Sequence, residues 1–221
     1  MTEKRYESDL TAKEKRQLEW EKIKSMSWKD RISHIWAYYK PHMAVGLMII
    51  LALSVIGQSI YRSQFETVLS VAILNAGAGD VEAMAGDLKN YLGDEDKYHE
   101  ISIDTSMFFT GDEQSDYTSV MKITTLVGAQ EIDVLLATED QFEKYKEMDA
   151  FLPMDELLTE EQKSAYGDRV SDYGIRIESS SKLDEFGVTP GEDVYLAVLV
   201  YTEHVDYAKS FITYICEGGE S

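Results

Sequence analysis

Apolar and polar positions follow three successive regimes along the chain. The first, residues 1–42, is polar with helical spacing. Thr11 and Glu14 fit a capping box that opens a charged helix running to about Lys24. Ser27 and Asp30 start a second, whose Trp28, Ile32, Ile35, Trp36 and Tyr39 fall on one side. Pro41 is expected to interrupt it. Such a helix suits the plane of a membrane surface, with its basic residues toward the lipid headgroups; a docking face for a cytoplasmic partner is the alternative. The second regime is a single uncharged run. No charged residue lies between Lys40 and Arg62, and these 21 residues include MAVGLMIILALSVIG. At about 1.5 Å per residue the run crosses a hydrocarbon core of roughly 30 Å, and in lipid it must be helical. We therefore expect a transmembrane helix over 43–61 and a linker over 62–65.

From residue 66 to 217 the period switches between two and about 3.6. TVLSVAILNA (67–76) reads as a strand, and Asp80 as the cap of a helix with Val81, Met84, Ala85, Leu88 and Leu92 on one stripe, stopped at Gly93. EISIDTS (100–106) alternates like a strand near an edge. A helix follows over 114–127, with Tyr117, Val120, Met121, Thr124 and Val127 expected inward. IDVLLA (132–137) is a continuous apolar run, as in a central parallel strand. Thr138 and Gln141 match a capping box for the next helix, whose Phe142 and Tyr145 face the core, and Thr159 and Gln162 match another. YGIRIES (173–179) and DVYLAVLVY (193–201) are further strands. A last helix begins at Thr202, and 218–221 form a tail. The alternation predicts an α/β fold: three layers, a mostly parallel sheet with helices on both faces.

Charge sets the orientation. Residues 1–42 carry ten Lys/Arg against seven Asp/Glu; the remainder carries eleven against thirty-four. Positive charge stays in the cytoplasm, so the N-terminus is expected inside, and the acidic domain outside a cell membrane crossed once. Trp28, Trp36, Tyr38, Tyr39 and Tyr61 stand where an interfacial aromatic belt falls. A cleaved signal peptide is the alternative, but the region before the apolar run is far longer than usual. A domain so acidic repels nucleic acid.

Little here points to catalysis. There is one cysteine, Cys216, so no disulfide forms within the chain. His99 and His204 lie on different elements, no metal spacing occurs, and the acidic turns 93–100 and 110–116 do not match a calcium loop. NAGAGD (75–80) approaches a Gly-rich phosphate turn without completing it. No cofactor and no metal are expected. In open α/β sheets ligands sit outside the carboxyl ends of the strands. That edge is expected to gather Asn75, Gly77 and Gly79, then Thr105 and Ser106, then Thr138 and Glu139, then Tyr201 and Thr202. Thr138 is read first as a helix cap.

The strand EIDVLLA, the turn TED and the helix QFEKYKEMDAFLPMDELL together resemble one lobe of type II extracellular solute-binding proteins. VYLAVLVYTEHVDYAKSFITYI is similar to that family's return strand and following helix. WKDRISHIWAYYKPH, a membrane span and then such a domain also resembles a group of uncharacterised single-pass membrane proteins of Gram-positive bacteria. About 55 residues separate IDVLLA from DVYLAVLVY, too few for a second lobe. The single-pass group implies a surface location but not an activity; with no nucleophile or metal cluster in the sequence, the expectation is a membrane-anchored, non-catalytic binding or sensing module with a reduced solute-binding-like fold. Besides the lipid bilayer, its partner would be a small solute, a cell-wall fragment or an envelope protein. A structural envelope component with no small-molecule site is the alternative.

Overall fold

The computed structural model describes residues 11–218, without the side chains of Glu19, Ile23, Glu113 and residues 30–35, 37–39 and 41–42. The chain divides into two compact units at Ser63/Gln64.

The first unit is helical. Helix α1 (Ala12–Ser25) opens where the capping box predicts: the Thr11 backbone N–H and hydroxyl both donate to the Glu14 carboxylate, at 2.9 and 2.7 Å. Helix α2 (Trp28–Arg62) then runs for 35 residues without a break. The interruption expected at Pro41 does not occur. A proline forfeits one backbone hydrogen bond, and the long helical runs on both sides carry the helix through that local loss. Within α2, Met43–Arg62 is long and apolar enough to cross a membrane, and none of its surface is buried. Trp28, Trp36 and Tyr61 are exposed. The side chains of Ile32, Ile35, Tyr38 and Tyr39 lie outside the described residues.

The second unit is built on β1 (Glu66–Ile73), α3 (Val81–Tyr91), β2 (His99–Asp104), α4 (Glu113–Gly128), β3 (Val134–Ala137) and α5 (Glu139–Lys146). After these come α6 (Met154–Leu157), α7 (Glu160–Tyr166), β4 (Ile175–Ile177), α8 (Ser181–Glu185), β5 (Val194–Val198) and α9 (Val205–Glu217). All five strands that the alternation predicts are present. The sheet order is β2-β1-β3-β5-β4. β1 pairs in parallel with β2 and with β3, whereas β5 is antiparallel to both β3 and β4. Four strands thus point one way and β5 the other.

Side chains alternate across each strand, and the core divides accordingly. Leu69, Val71, Ile73, Val134, Leu136, Leu196 and Val198 join Met84 and Leu88 of α3 and Phe211, Ile212 and Ile215 of α9. Ala72, Leu74, Leu135, Ala137, Ala197 and Leu199 join Ile123 of α4 and Phe142 and Tyr145 of α5. A register shift between Thr67 and Leu69 lets Val68 and Leu69 enter the same cluster. The crossover from β1 to β2 and that from β2 to β3 step in opposite directions and carry their helices on opposite faces. That arrangement keeps one hand for both.

Three local expectations need correction. Tyr117 and Met121 of α4 face outward, and its buried positions are Asp116, Ser119 and Ile123, with Val127 packed against the core as expected. Polar residues take that face because they close the loop before the helix. The Asp116 carboxylate accepts from the Thr110 and Gly111 backbone N–H groups at 2.8 and 2.9 Å, and Ser119 Oγ accepts from the Phe108 N–H at 3.0 Å. Thr138 occupies the N-cap position of α5, but its side chain caps nothing. The Thr159/Gln162 box, by contrast, is formed in both directions. The last helix starts at Val205, with His204 rather than Thr202 before it.

Candidate functional site

The residues expected at one edge separate into two groups. Asn75, Gly77, Gly79, Thr105, Ser106, Thr138 and Glu139 follow β1, β2 and β3, at their carboxyl ends. Because β5 runs the other way, Tyr201 and Thr202 follow it onto the opposite edge, beside the start of β3.

At the first edge the chain is tied to itself. Asn75 has a left-handed backbone, φ 54°. Its amide donates to the Phe109 carbonyl at 3.1 Å and to Glu192 at 3.2 Å, and its Oδ1 accepts from the Phe109 N–H at 2.6 Å. Gly77 and Gly79 let the β1–α3 turn lie on the chain that leads from α8 to β5. A Cβ on Gly79 would meet the Gly187 carbonyl carbon at 2.5 Å, and the Asp80 N–H donates to the Phe186 carbonyl at 2.8 Å. The near-match to a phosphate turn is therefore a backbone-on-backbone contact. Ser106 bonds Asp104 at 2.8 Å and accepts from Lys122 at 2.7 Å. Thr138 is buried, and Glu139 is exposed in the first turn of α5.

The second group centres on Asp133, which no sequence motif singles out. It is buried at the entry to β3. Its carboxylate accepts from the Ser70 backbone N–H at 2.8 Å and from the Thr202 hydroxyl, and it lies 3.2 Å from His204 Nδ1. Asp133 thereby joins β1, β3 and the entrance to α9. Nearby, the Tyr201 hydroxyl is buried and lacks a partner among the described residues. Burial first, and then the Asp133 charge, push its pKa up to about 12.

Beside Asp133 opens a cavity of about 490 Å³, bounded by β1 and β2, the end of α4 and the residues leading into β3. Small side chains make the room: Ser70 and Ala72 on β1 and Ser102 on β2 leave the sheet low here. Its acidic groups are Asp104, Glu131 and Asp133, with His204 at the wall. Burial pushes the Asp104 pKa up, but hydrogen bonds from Lys122 and Ser106 outweigh it and hold the carboxyl below its ordinary value. The Lys122 ammonium is 2.5 Å from Asp104.

The other titratable clusters are structural. Asp94 lies 2.7 Å from His99 Nδ1 and accepts from the Tyr207 hydroxyl at 2.9 Å, fixing the 93–100 turn against α9. Asp87 holds Lys182 at 3.0 Å and Tyr214 at 2.8 Å, joining α3, α8 and α9. Burial pushes the Cys216 thiol up to about 11, which leaves it a poor nucleophile. Among the described residues no three His, Cys, Asp or Glu converge as a metal site.

The chain matches no protein-family model, no curated protein and no solved structure.

Proposed function

We propose that this chain is a membrane-anchored, single-pass binding or sensing module, non-catalytic, with its N-terminus in the cytoplasm and its α/β unit outside. The cavity over β1 and β2 carries this reading. At about 490 Å³ it falls within the range of small-molecule sites, and it belongs to a unit with its own core that follows an apolar helix. The three-layer, solute-binding-like reading of the fold draws support from two features. Helices meet both sets of strand side chains, and β5 runs against its neighbours as a return strand does. The working site in this reading is the Asp133 cavity rather than the carboxyl edge, where Asn75 and the glycines are occupied by the chain itself.

The test is thermal unfolding of the full chain in detergent against amino acids, sugars, peptides and wall fragments. A ligand that binds only the folded state raises the melting temperature. A shift that Ser102→Trp abolishes supports the cavity; a shift that survives it removes the cavity from the reading.

A second reading, an envelope component that binds another protein, has its own observation. Tyr117 and Met121 lie one turn apart on α4, 64% and 51% exposed, and Phe108, bonded to the same helix, is 49% exposed. Exposed apolar clusters mark interaction surfaces. Absence of any thermal shift, together with capture of an envelope protein that Tyr117→Ser releases, favours this second reading.

A further inference from the structure

We infer that the Asp133 cavity is built for a small organic cation, a molecule carrying one or more ammonium groups; this rests on the cavity's being the working site. Two features of the wall and the charge of the whole chain favour a cation there, with Lys122, paired to Asp104, as the opposing charge. Asp104, Glu131 and Asp133 approach from three different segments: the end of β2, the loop after α4 and the entry to β3. The Glu131 carboxylate is exposed and has no partner among the described residues, so it is available to a ligand. The α4 helix ends at this wall, where Leu126 and Gln130 line the cavity. A helix C-terminus carries about half a negative charge, and the last turn of α4 holds no basic residue to offset it. The whole chain carries a net charge of −20, which adds a long-range field of the same sign.

The geometry separates an organic cation from a bare metal ion. A divalent ion needs several oxygens converging at roughly 2.0–2.6 Å. Here the carboxylates are spread around a volume of about 490 Å³, and no three metal-ligating groups come together among the described residues. Carboxylates on separate segments, with Ser70 and Ser102 also lining the cavity, suit a ligand several atoms long. Asp133 itself is held by Ser70, Thr202 and His204, and Asp104 by Lys122 and Ser106, so these two supply fixed charge, while Glu131 supplies the open contact.

The experiment is titration calorimetry of the full chain in detergent at physiological ionic strength. Spermidine is the probe, xylitol the uncharged comparison and magnesium the bare ion. Spermidine binds saturably at one site. Glu131→Gln weakens it roughly three- to tenfold, while Glu178→Gln, beyond β4 on the far edge of the sheet, leaves it unchanged. Equal weakening by both variants would show diffuse attraction to an acidic protein and overturn the inference. Magnesium binding as tightly as spermidine overturns it too. Xylitol binding without spermidine, abolished by Ser102→Trp, keeps the cavity as a site and overturns only its cation preference. Heat from none of the probes overturns the inference, and the cavity reading then stands or falls on the thermal panel described above.

Discussion

Asp133 and His204 are 71 residues apart in sequence, yet the carboxylate lies 3.2 Å from the imidazole Nδ1. Two further donors share that carboxylate, the Ser70 N–H and the Thr202 hydroxyl. A buried acceptor that serves three segments is costly to remove, because each donor is left without its partner. Asp133→Ala is expected to lower stability by about 3 kcal/mol, and Thr202→Val by about 1 kcal/mol. All three tryptophans precede residue 37, so unfolding of the outer unit is best followed by tyrosine near-ultraviolet circular dichroism in urea. If the double variant loses only the sum of the two single losses, the residues do not act as one network.

Asn75 separates backbone strain from hydrogen bonding. Its φ of 54° disfavours a side chain, and its amide group bonds Phe109 twice and Glu192 once. Asn75→Ala keeps the strain and loses the bonds, with an expected loss of about 2–3 kcal/mol. Asn75→Gly loses the same bonds but relaxes the backbone, so it should recover about 1 kcal/mol of that. Equal denaturation midpoints for the two variants would mean that the left-handed conformation contributes nothing.

How much of this was legible in the sequence depended on whether the signal was local. The strands, the edge position of β2 and the Thr159 capping box all follow from period or from neighbours three residues apart. The direction of β5 does not. Nothing in VYLAVLV distinguishes a parallel from an antiparallel partner, and a parallel reading places Tyr201 and Thr202 at the wrong edge. The buried face of α4 is hidden in the sequence for another reason. Asp116 and Ser119 point inward to close the preceding loop, so apolarity alone chose the wrong stripe. The cavity did leave a trace: β1 places Leu69, Val71 and Ile73 on one face and only Ser70 and Ala72 opposite. Large against small along one strand is a sign of unfilled space, whereas the partners of Asp133 come from distant segments that no spacing rule joins.

Gly174 tests how tightly α5 is held against the sheet. The Phe142 ring stacks with both Tyr195 and Phe151, with centroids 4.7 and 5.4 Å away. A Cβ on Gly174 would lie 2.7 Å from Phe142 Cε2 and 3.2 Å from the Leu196 carbonyl. A buried ring packed against two others has little room to yield, so Gly174→Ala should cost about 2 kcal/mol by overpacking. Gly191→Ala, where a Cβ meets nothing within 4 Å, should stay within about 0.5 kcal/mol of the parent. Equal midpoints for the two alanine variants would show that Phe142 moves aside freely.

Asp116 gives the acid side of the stability curve an identifiable source. The Thr110 N–H, the Thr110 hydroxyl and the Gly111 N–H hold its carboxyl below the ordinary value, against the opposing effect of burial. A depressed folded-state pKa means that the unfolded chain takes up the proton first as pH falls. The stabilisation is therefore fully present above the unfolded value of about 3.9, and it disappears as pH drops through the lower folded value. Asp116→Asn cannot titrate. The variant should be less stable than the parent at pH 7, and its stability should fall less steeply below about pH 4. The slope does not vanish, because Asp87, Asp94 and Asp104 are also held below their ordinary values. Denaturant midpoints measured from pH 7 down to pH 2.5 read the difference, and identical slopes in parent and variant would remove Asp116 as a source of acid sensitivity.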